Sequence, residues 1–198
     1  MEVGLFFGTF NPIHVGHLII ANYFRQHAQL KEVWFVVSPH NPFKEKKSLL
    51  ADYHRLAMVD RAIEGHDGLR SSNIEFDLPQ PSYTSNTLAY LADKYPNKKF
   101  ALIMGEDNLN SLHKWKNAEV LVANHRILVY PRVSPASGKQ SPAEWVMTSK
   151  NIEKYTDMPL MNLSSTFIRK EIKSGNSISF MVPERVEQYL DEMNFYRS

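Results

Sequence analysis

Four short apolar runs, each halted by a glycine or a proline, constrain the fold of this chain more than any other feature. Val3–Phe7 stops at Gly8, Glu32–Val37 at Ser38-Pro39, Phe100–Met104 at Gly105, and Ile127–Tyr130 at Pro131. Runs this short favour strands over helices, and their near-continuous apolar character predicts burial on both faces. Between them the spacing becomes helical. Leu18, Ile19, Ala21, Asn22 and Tyr23 begin a helix running to about Leu30, and Leu49, Leu50, Tyr53, Leu56, Ala57 and Ile63 recur at three and four. Leu88, Leu91, Ala92 and Tyr95 form a third helix ending before Pro96, while Ile74–Phe76 reads as a further strand. This alternation predicts an α/β fold, a doubly wound parallel sheet with helices on both faces. Ligands in such sheets bind beyond the carboxyl ends of the strands, which directs attention to Gly8–His17, Ser38–Lys44 and Gly105–Asp107.

The last part of the chain changes character. Ser164-Ser165 stands before Thr166–Lys173, with Gly175 after it, the pattern of a capped helix closed by glycine. Pro183 opens another helix with Val186, Tyr189, Leu190 and Met193 on one face, and this tail is expected to pack on the edge of the sheet. Residues 133–157 are less regular. At 198 residues the expectation is one domain, 1–198, with 159–198 as a small C-terminal helical subregion.

Composition excludes several functions. Lys+Arg of 23 against Asp+Glu of 21 leaves +2, too little for a broad nucleic-acid surface, so no nucleic-acid partner is expected. The densest cationic stretch, Lys44-Glu45-Lys46-Lys47, reads as a solvated loop. Without cysteine there is no disulfide, no thiolate nucleophile and no thiolate metal site. Asn11, Pro12, His14 and His17 interrupt the apolar stretch from Val3 to Ile20, so it cannot span a bilayer. The start of the chain lacks a cationic secretory leader. A soluble, cytoplasmic protein with no membrane partner is the expectation.

The first candidate site is Gly8-Thr9-Phe10-Asn11-Pro12-Ile13-His14-Val15-Gly16-His17. A glycine where a strand ends lets the backbone turn and a ligand come close. His14 and His17, three apart at a helix entrance, project from one side, and Gly16 removes a side chain between them. Free N–H groups and the positive end of the helix dipole favour an anion there. Two imidazoles can donate to it and, if protonated, add charge. Neither a P-loop nor a dinucleotide fingerprint occurs at this turn.

The second candidate is Ser164-Ser165-Thr166-Phe167-Ile168-Arg169. Hydroxyls and unpaired N–H groups at a helix start make a phosphate cradle. Helical side chains lean toward their N-terminus, so Arg169 in the first turn can reach the same anion.

With Gly-Thr-Phe-Asn-Pro-Ile-His-x-Gly-His near the start and Ser-Ser-Thr-x-Ile-Arg near the end, the chain resembles the nucleotidylyltransferase superfamily. It is most similar to the bacterial nicotinate-nucleotide adenylyltransferases, which join ATP and nicotinate mononucleotide. Pro81–Thr84, Ile103–Asn108, Leu112–Trp115 and Tyr130–Arg132 follow in that family's order. The resemblance implies a Rossmann-like fold and, as partners, the small molecules ATP and nicotinate mononucleotide; the alternatives are nicotinamide mononucleotide or phosphopantetheine as acceptor, or a non-catalytic nucleotide-binding module. It implies catalytic roles for His14, His17 and Arg169, and ATP contacts from Gly8, Thr9, Phe10, Gly16, Gly105, Asp107, Ser164, Ser165 and Thr166 besides. Lys44, Thr84, Trp115 and Arg132 would face the acceptor, Trp115 by stacking on a pyridine ring. Asp107, and Thr84 or Ser85, also read as helix caps. The implied cofactor is Mg²⁺ carried by the ATP phosphates, since no acidic cluster suggests a protein-built metal site. Two positions depart from the family pattern: Phe7 stands where many members have Gly, and Phe43 where many have His. Phe7 predicts a bulkier strand end, and no histidine role carries to Phe43.

Overall fold

The computed structural model describes residues 1–39, 48–132 and 141–197. The four apolar runs are strands: β1 (Glu2–Gly8), β2 (Glu32–Val37), β4 (Lys99–Gly105) and β5 (Ile127–Tyr130). With β3 (Leu69–Ser72) and β6 (Ile152–Lys154) they form one sheet in the order β3-β2-β1-β4-β5-β6, parallel throughout. The register runs Gly4↔Val33 on one side of β1 and Gly4↔Ala101 on the other. The chain therefore winds outward in two directions from β1 and β4, which is the topology that opens a crevice between their carboxyl ends.

Side chains alternate across this sheet although the runs look uniformly apolar. Phe6, Val33, Phe35, Val37, Ala101, Ile103 and Leu128 point to one face. There they meet α1 (Val15–His27), α2 (Asp52–Ile63), α7 (Ser165–Lys173) and α8 (Glu184–Glu192) through Ile20, Phe24, Met58, Ile168 and Val186. Val3, Leu5, Trp34, Val36, Leu102 and Val129 point to the other. That face carries α3 (Thr84–Lys94), α4 (Glu106–Ser111), α5 (Ala118–Asn124) and α6 (Glu144–Thr148). Both cores are buried, as a parallel sheet requires.

Several sequence expectations shift. The strand expected at Ile74–Phe76 is a turn, closed by the Phe76 N–H donating to the Asn73 carbonyl at 2.9 Å. The neighbouring strand is Leu69–Ser72, which among the described residues is an edge strand paired only with β2, so it needs no continuous apolar run. The helix after β1 starts at Val15 and ends at His27 rather than running from Leu18 to Leu30. In α2 the buried stripe is Arg55, Met58, Val59, Ala62 and Ile63, whereas Tyr53 is 65% exposed. Met193 caps α8 and is exposed instead of joining the face of Val186 and Leu190. The irregular stretch 141–157 contains α6 and β6. The tail packs over α2, with the ring of Phe195 4.7 Å from that of His54, rather than on the sheet edge.

Candidate active site

A cavity of about 590 Å³ opens beyond the carboxyl ends of β1, β2, β4 and β5. Gly8, Thr9, Phe10, His14 and His17 line it from the β1–α1 turn, and Ser164, Ser165, Thr166 and Arg169 from the start of α7. Thr84 and Arg132 line it too. The two motifs from opposite ends of the sequence are bonded directly. Ser165 Oγ donates to the Pro12 carbonyl at 2.8 Å, and Arg169 Nη1 to the Asn11 carbonyl at 2.8 Å. Arg169 Nη2 also donates to Thr166 Oγ1 at 3.3 Å, while Ser164 Oγ caps α7 by accepting from the Phe167 N–H at 3.2 Å. Arg169 is the fifth residue of α7, one turn in, and leans back toward the helix start.

The two imidazoles stack, with centroids 3.7 Å apart and planes inclined by 25°. The His14 N–H donates to His17 Nδ1 at 3.2 Å, so neutral His17 carries its proton on Nε2 and offers that N–H as a donor. His14 is 5% exposed, and its Nδ1 is buried with no hydrogen-bond partner among the described residues. Burial, aided by the Arg132 charge, lowers the His14 pKa to about 4. Burial, then His14, then Arg132 push His17 well below its ordinary value. Both rings are therefore neutral near pH 7 before an anion arrives, and add charge only once a ligand's negative charge restores their basicity. The N-terminus of α1 is also less open than expected. Its Val15 N–H donates to the Met181 carbonyl at 3.0 Å and its His17 N–H to the His14 carbonyl at 2.9 Å.

Glycines make room at this edge of the sheet. A Cβ on Gly8 would sit 2.8 Å from the ring of Phe10, which is buried with φ of 46°. Phe7 lines the same cavity, so the bulk expected at the strand end is present. Gly16 lies off the cavity lining, and a Cβ there would come within 3.0 Å of His14 Nδ1. Gly105 and Asp107 also lie off the lining. A Cβ on Gly105 would meet Asp107 Oδ1 at 2.5 Å, and Asp107 Oδ2 accepts from Arg132 at 2.7 Å. Asp107 sits in the first turn of α4, whose cap is Gly105, and Thr84 is the first residue of α3, capped by Tyr83. Neither is the cap that the sequence suggested. Trp115 is half-buried against the second core, its N–H donating to the Leu112 carbonyl at 2.9 Å, and is not among the residues lining the cavity. Nearby, Lys116 Nζ lies 4.7 Å from the centre of the Tyr83 ring, joining the loop after Trp115 to the start of α3. Lys44 lies outside the described residues, as do Phe43 and His40.

Residues 5–171 match the cytidylyltransferase-like family model. The chain belongs to the cytidylyltransferase-like family. Among its relatives, a protein named probable nicotinate-nucleotide adenylyltransferase from Christiangramia forsetii is 57% identical, covering 99% of this chain and 98% of its own. One of the same name from Flavobacterium johnsoniae is 51% identical across 100% of both chains. A nicotinic acid mononucleotide adenylyltransferase of Plasmodium falciparum, solved in complex with NaAD, superposes with a TM-score of 0.72. At 18% identity, over 98% of this chain and 97% of that one, this last likeness speaks for the fold alone.

In this cytidylyltransferase-like chain, Arg55, Glu75 and Tyr196 shape the site without having been singled out in the sequence, and Asn11, which stands inside the first motif, had no role of its own there. Arg55 is fully buried and donates to the carbonyls of Thr9 (2.7 Å), Ser38 (2.7 Å) and Leu50 (3.0 Å), besides pairing with Asp52. It thereby ties the turn after β1 to the turn after β2. The available signal was phase, because Arg55 falls three, four and seven residues before Met58, Val59 and Ala62 on the buried stripe. Glu75 is 3% exposed and lines the cavity, its Oε1 accepting from Thr87 Oγ1 at 2.7 Å. Burial raises its pKa, opposed by the Thr87 and Ser38 hydroxyls. Asn11 and Tyr196 bond to each other across the whole length of the chain. No local pattern marks such a pair.

Proposed function

We propose that the chain transfers the adenylyl group of ATP to nicotinate mononucleotide, giving nicotinate adenine dinucleotide and pyrophosphate. The observation that carries this reading is the pair of bonds from Ser165 and Arg169 to Pro12 and Asn11, which joins two helix starts around one cavity. The names of the full-length relatives support the same acceptor.

An oxygen of the acceptor phosphate attacks the α-phosphorus of ATP. The new P–O bond forms in line as the bond from that phosphorus to the bridging oxygen breaks, and pyrophosphate leaves. No group on the protein becomes covalently attached. Its residues align two nucleotides and offset charge on the triphosphate. The His17 Nε2–H and the Arg169 guanidinium are the proposed donors to that charge, with Ser165, Thr166 and the helix start around them. The Phe10 turn, which Gly8 accommodates, and the His14 ring, which Gly16 accommodates, give the polyphosphate its wall. Thr84 and Arg132, which line the same cavity, are the proposed acceptor contacts, and the same role is proposed for Trp115 and Lys44. The Asp107 carboxylate holds Arg132 in place.

The described residues hold no group of three or more His, Asp or Glu side chains placed to bind a metal ion. Asp107 is engaged by Arg132 and Glu75 by Thr87, so the residues fit a cation delivered on phosphate oxygens and water. We assign that role to Mg²⁺, which when bound neutralises part of the triphosphate charge. No described helix is long and apolar enough to cross a membrane. The cytoplasm is the proposed compartment, and residues 1–198 are read as one nucleotidylyltransferase domain with 159–198 as its helical subregion.

The test is pyrophosphate release from ATP against nicotinate mononucleotide, nicotinamide mononucleotide and phosphopantetheine. The acid should be preferred over the amide by roughly tenfold to a hundredfold in kcat/KM, the cost of leaving a polar recognition group unpaired. Equal values for acid and amide contradict the acceptor assignment. No release with any acceptor contradicts adenylyl transfer itself.

A further inference from the structure

Asn11 is 4% exposed, and both polar ends of its side chain are engaged. Nδ2 donates to the Ser48 carbonyl at 2.8 Å, while Oδ1 accepts from the Leu50 N–H at 3.2 Å and from the Tyr196 hydroxyl at 2.5 Å. Its main-chain carbonyl is the one that receives Arg169 Nη1. Asn11 thus connects the β1–α1 turn, the segment leading into α2 and the guanidinium at the start of α7. Of its partners, Tyr196 is the most remote in sequence.

The position of Tyr196 is built with some care. Phe195 anchors the segment after α8, its ring against His54 at 4.7 Å and its N–H donating to the Leu190 carbonyl at 3.0 Å. Tyr196 itself has φ of 63°, a left-handed backbone that is unfavourable for a residue with a Cβ. Local contacts must offset that cost, and the bond to Asn11 is one of them. Burial raises the Tyr196 pKa, with Arg169 and Arg55 opposing, so the phenol stays protonated and acts as the donor. That direction in turn fixes Asn11 Oδ1 as the acceptor, and so the orientation of the amide. The match to the family model ends at residue 171, well before this segment.

We propose that Tyr196 is a positioning residue of the active site, whose hydroxyl orients Asn11 and through it sets Arg169 and the Ser48–Leu50 segment, of which Ser48 and Leu49 line the cavity. It touches neither substrate nor reacting atoms. This inference rests on the adenylyl-transfer reading for its role in turnover, and on the hydrogen-bond network alone for its effect on ATP binding.

The test compares Tyr196→Phe, which deletes one hydroxyl and keeps the ring, with Phe195→Leu, which loosens the same segment without touching Asn11. Tyr196→Phe should lower kcat about threefold to tenfold and weaken ATP affinity, read by calorimetry, to a similar extent. Phe195→Leu should lower the thermal midpoint more than Tyr196→Phe does, yet lower kcat less, because the Tyr196 hydroxyl is retained. In an Arg169→Lys background Tyr196→Phe should cost less than in the wild-type chain, because both changes act on one guanidinium position. Wild-type kcat and ATP affinity in Tyr196→Phe would overturn the proposal. So would losses fully additive with Arg169→Lys, losses that merely follow stability in both tail variants, or a Tyr196→Phe chain that does not fold. ATP affinity requires no acceptor. A wild-type chain that binds ATP but releases no pyrophosphate would therefore refute the proposed function while leaving the Tyr196 comparison readable.

Discussion

His14 and His17 illustrate how burial decides the behaviour of a residue that the sequence can only locate. An unfolded imidazole titrates near ~6.5, whereas native His14 titrates at about 4. Between those values the unfolded chain binds more protons, so this group's contribution to stability is complete above pH 6.5 and is lost as pH falls toward 4. The expected loss from His14 alone is about 2 kcal/mol between pH 7 and pH 5. Urea unfolding at the two pH values measures it, and His14→Asn should show a shallower decline than the wild-type chain. Equal slopes would mean that His14 is protonated in the native state. At pH 6, ATP binding should also take up protons, because the triphosphate favours the charged imidazoles. The donors at the site were legible because His14, His17, Ser164, Ser165 and Arg169 lie in short local strings. Arg55, Glu75 and Tyr196 were not, and Asn11 was legible only as a member of its string, because each takes its role from partners on other elements, such as the Thr9 and Ser38 carbonyls that receive Arg55.

Among the elements, α2 has a role beyond covering the sheet. Through Arg55 it holds the turns after β1 and β2 at a fixed separation, and Leu50 at its own entrance. Arg55→Met would leave those three carbonyls without their guanidinium donor in a buried setting. The expected loss is about 3 kcal/mol or more, measured by urea unfolding. A loss below about 1 kcal/mol would show that water or other donors replace the guanidinium. The elements that sequence reading found are those whose surroundings repeat along the chain. Central strands β1, β2, β4 and β5 are covered on both faces and read as apolar runs. Edge strands β3 and β6, with the sequences LRSS and IEK, have one neighbour each and leave no such trace. The turn at Ile74–Phe76 looked like a strand because Ile74, Glu75 and Phe76 alternate apolar and polar, whereas Ile74 and Phe76 pack against different cores.

Over the whole molecule, the strand order places the carboxyl ends of β1 and β4 side by side, and the returning chain brings α7 to that opening. Topology at this level was legible from the alternation of elements. The closeness of the two motifs was inferred from chemistry, since residues 153 and 158 positions apart share no pattern. The central proposal is that His17 and Arg169 stabilise one transferring group from two ends of the sequence. A double-mutant cycle on kcat, with ATP binding and folding checked in each variant, tests this most directly. His17→Ala and Arg169→Ala should each lower kcat by about a hundredfold or more, and the double variant should lose less than the product of the two. Purely multiplicative losses, or normal turnover in Arg169→Ala, would contradict it, because the two helix starts would then not act on the same phosphate.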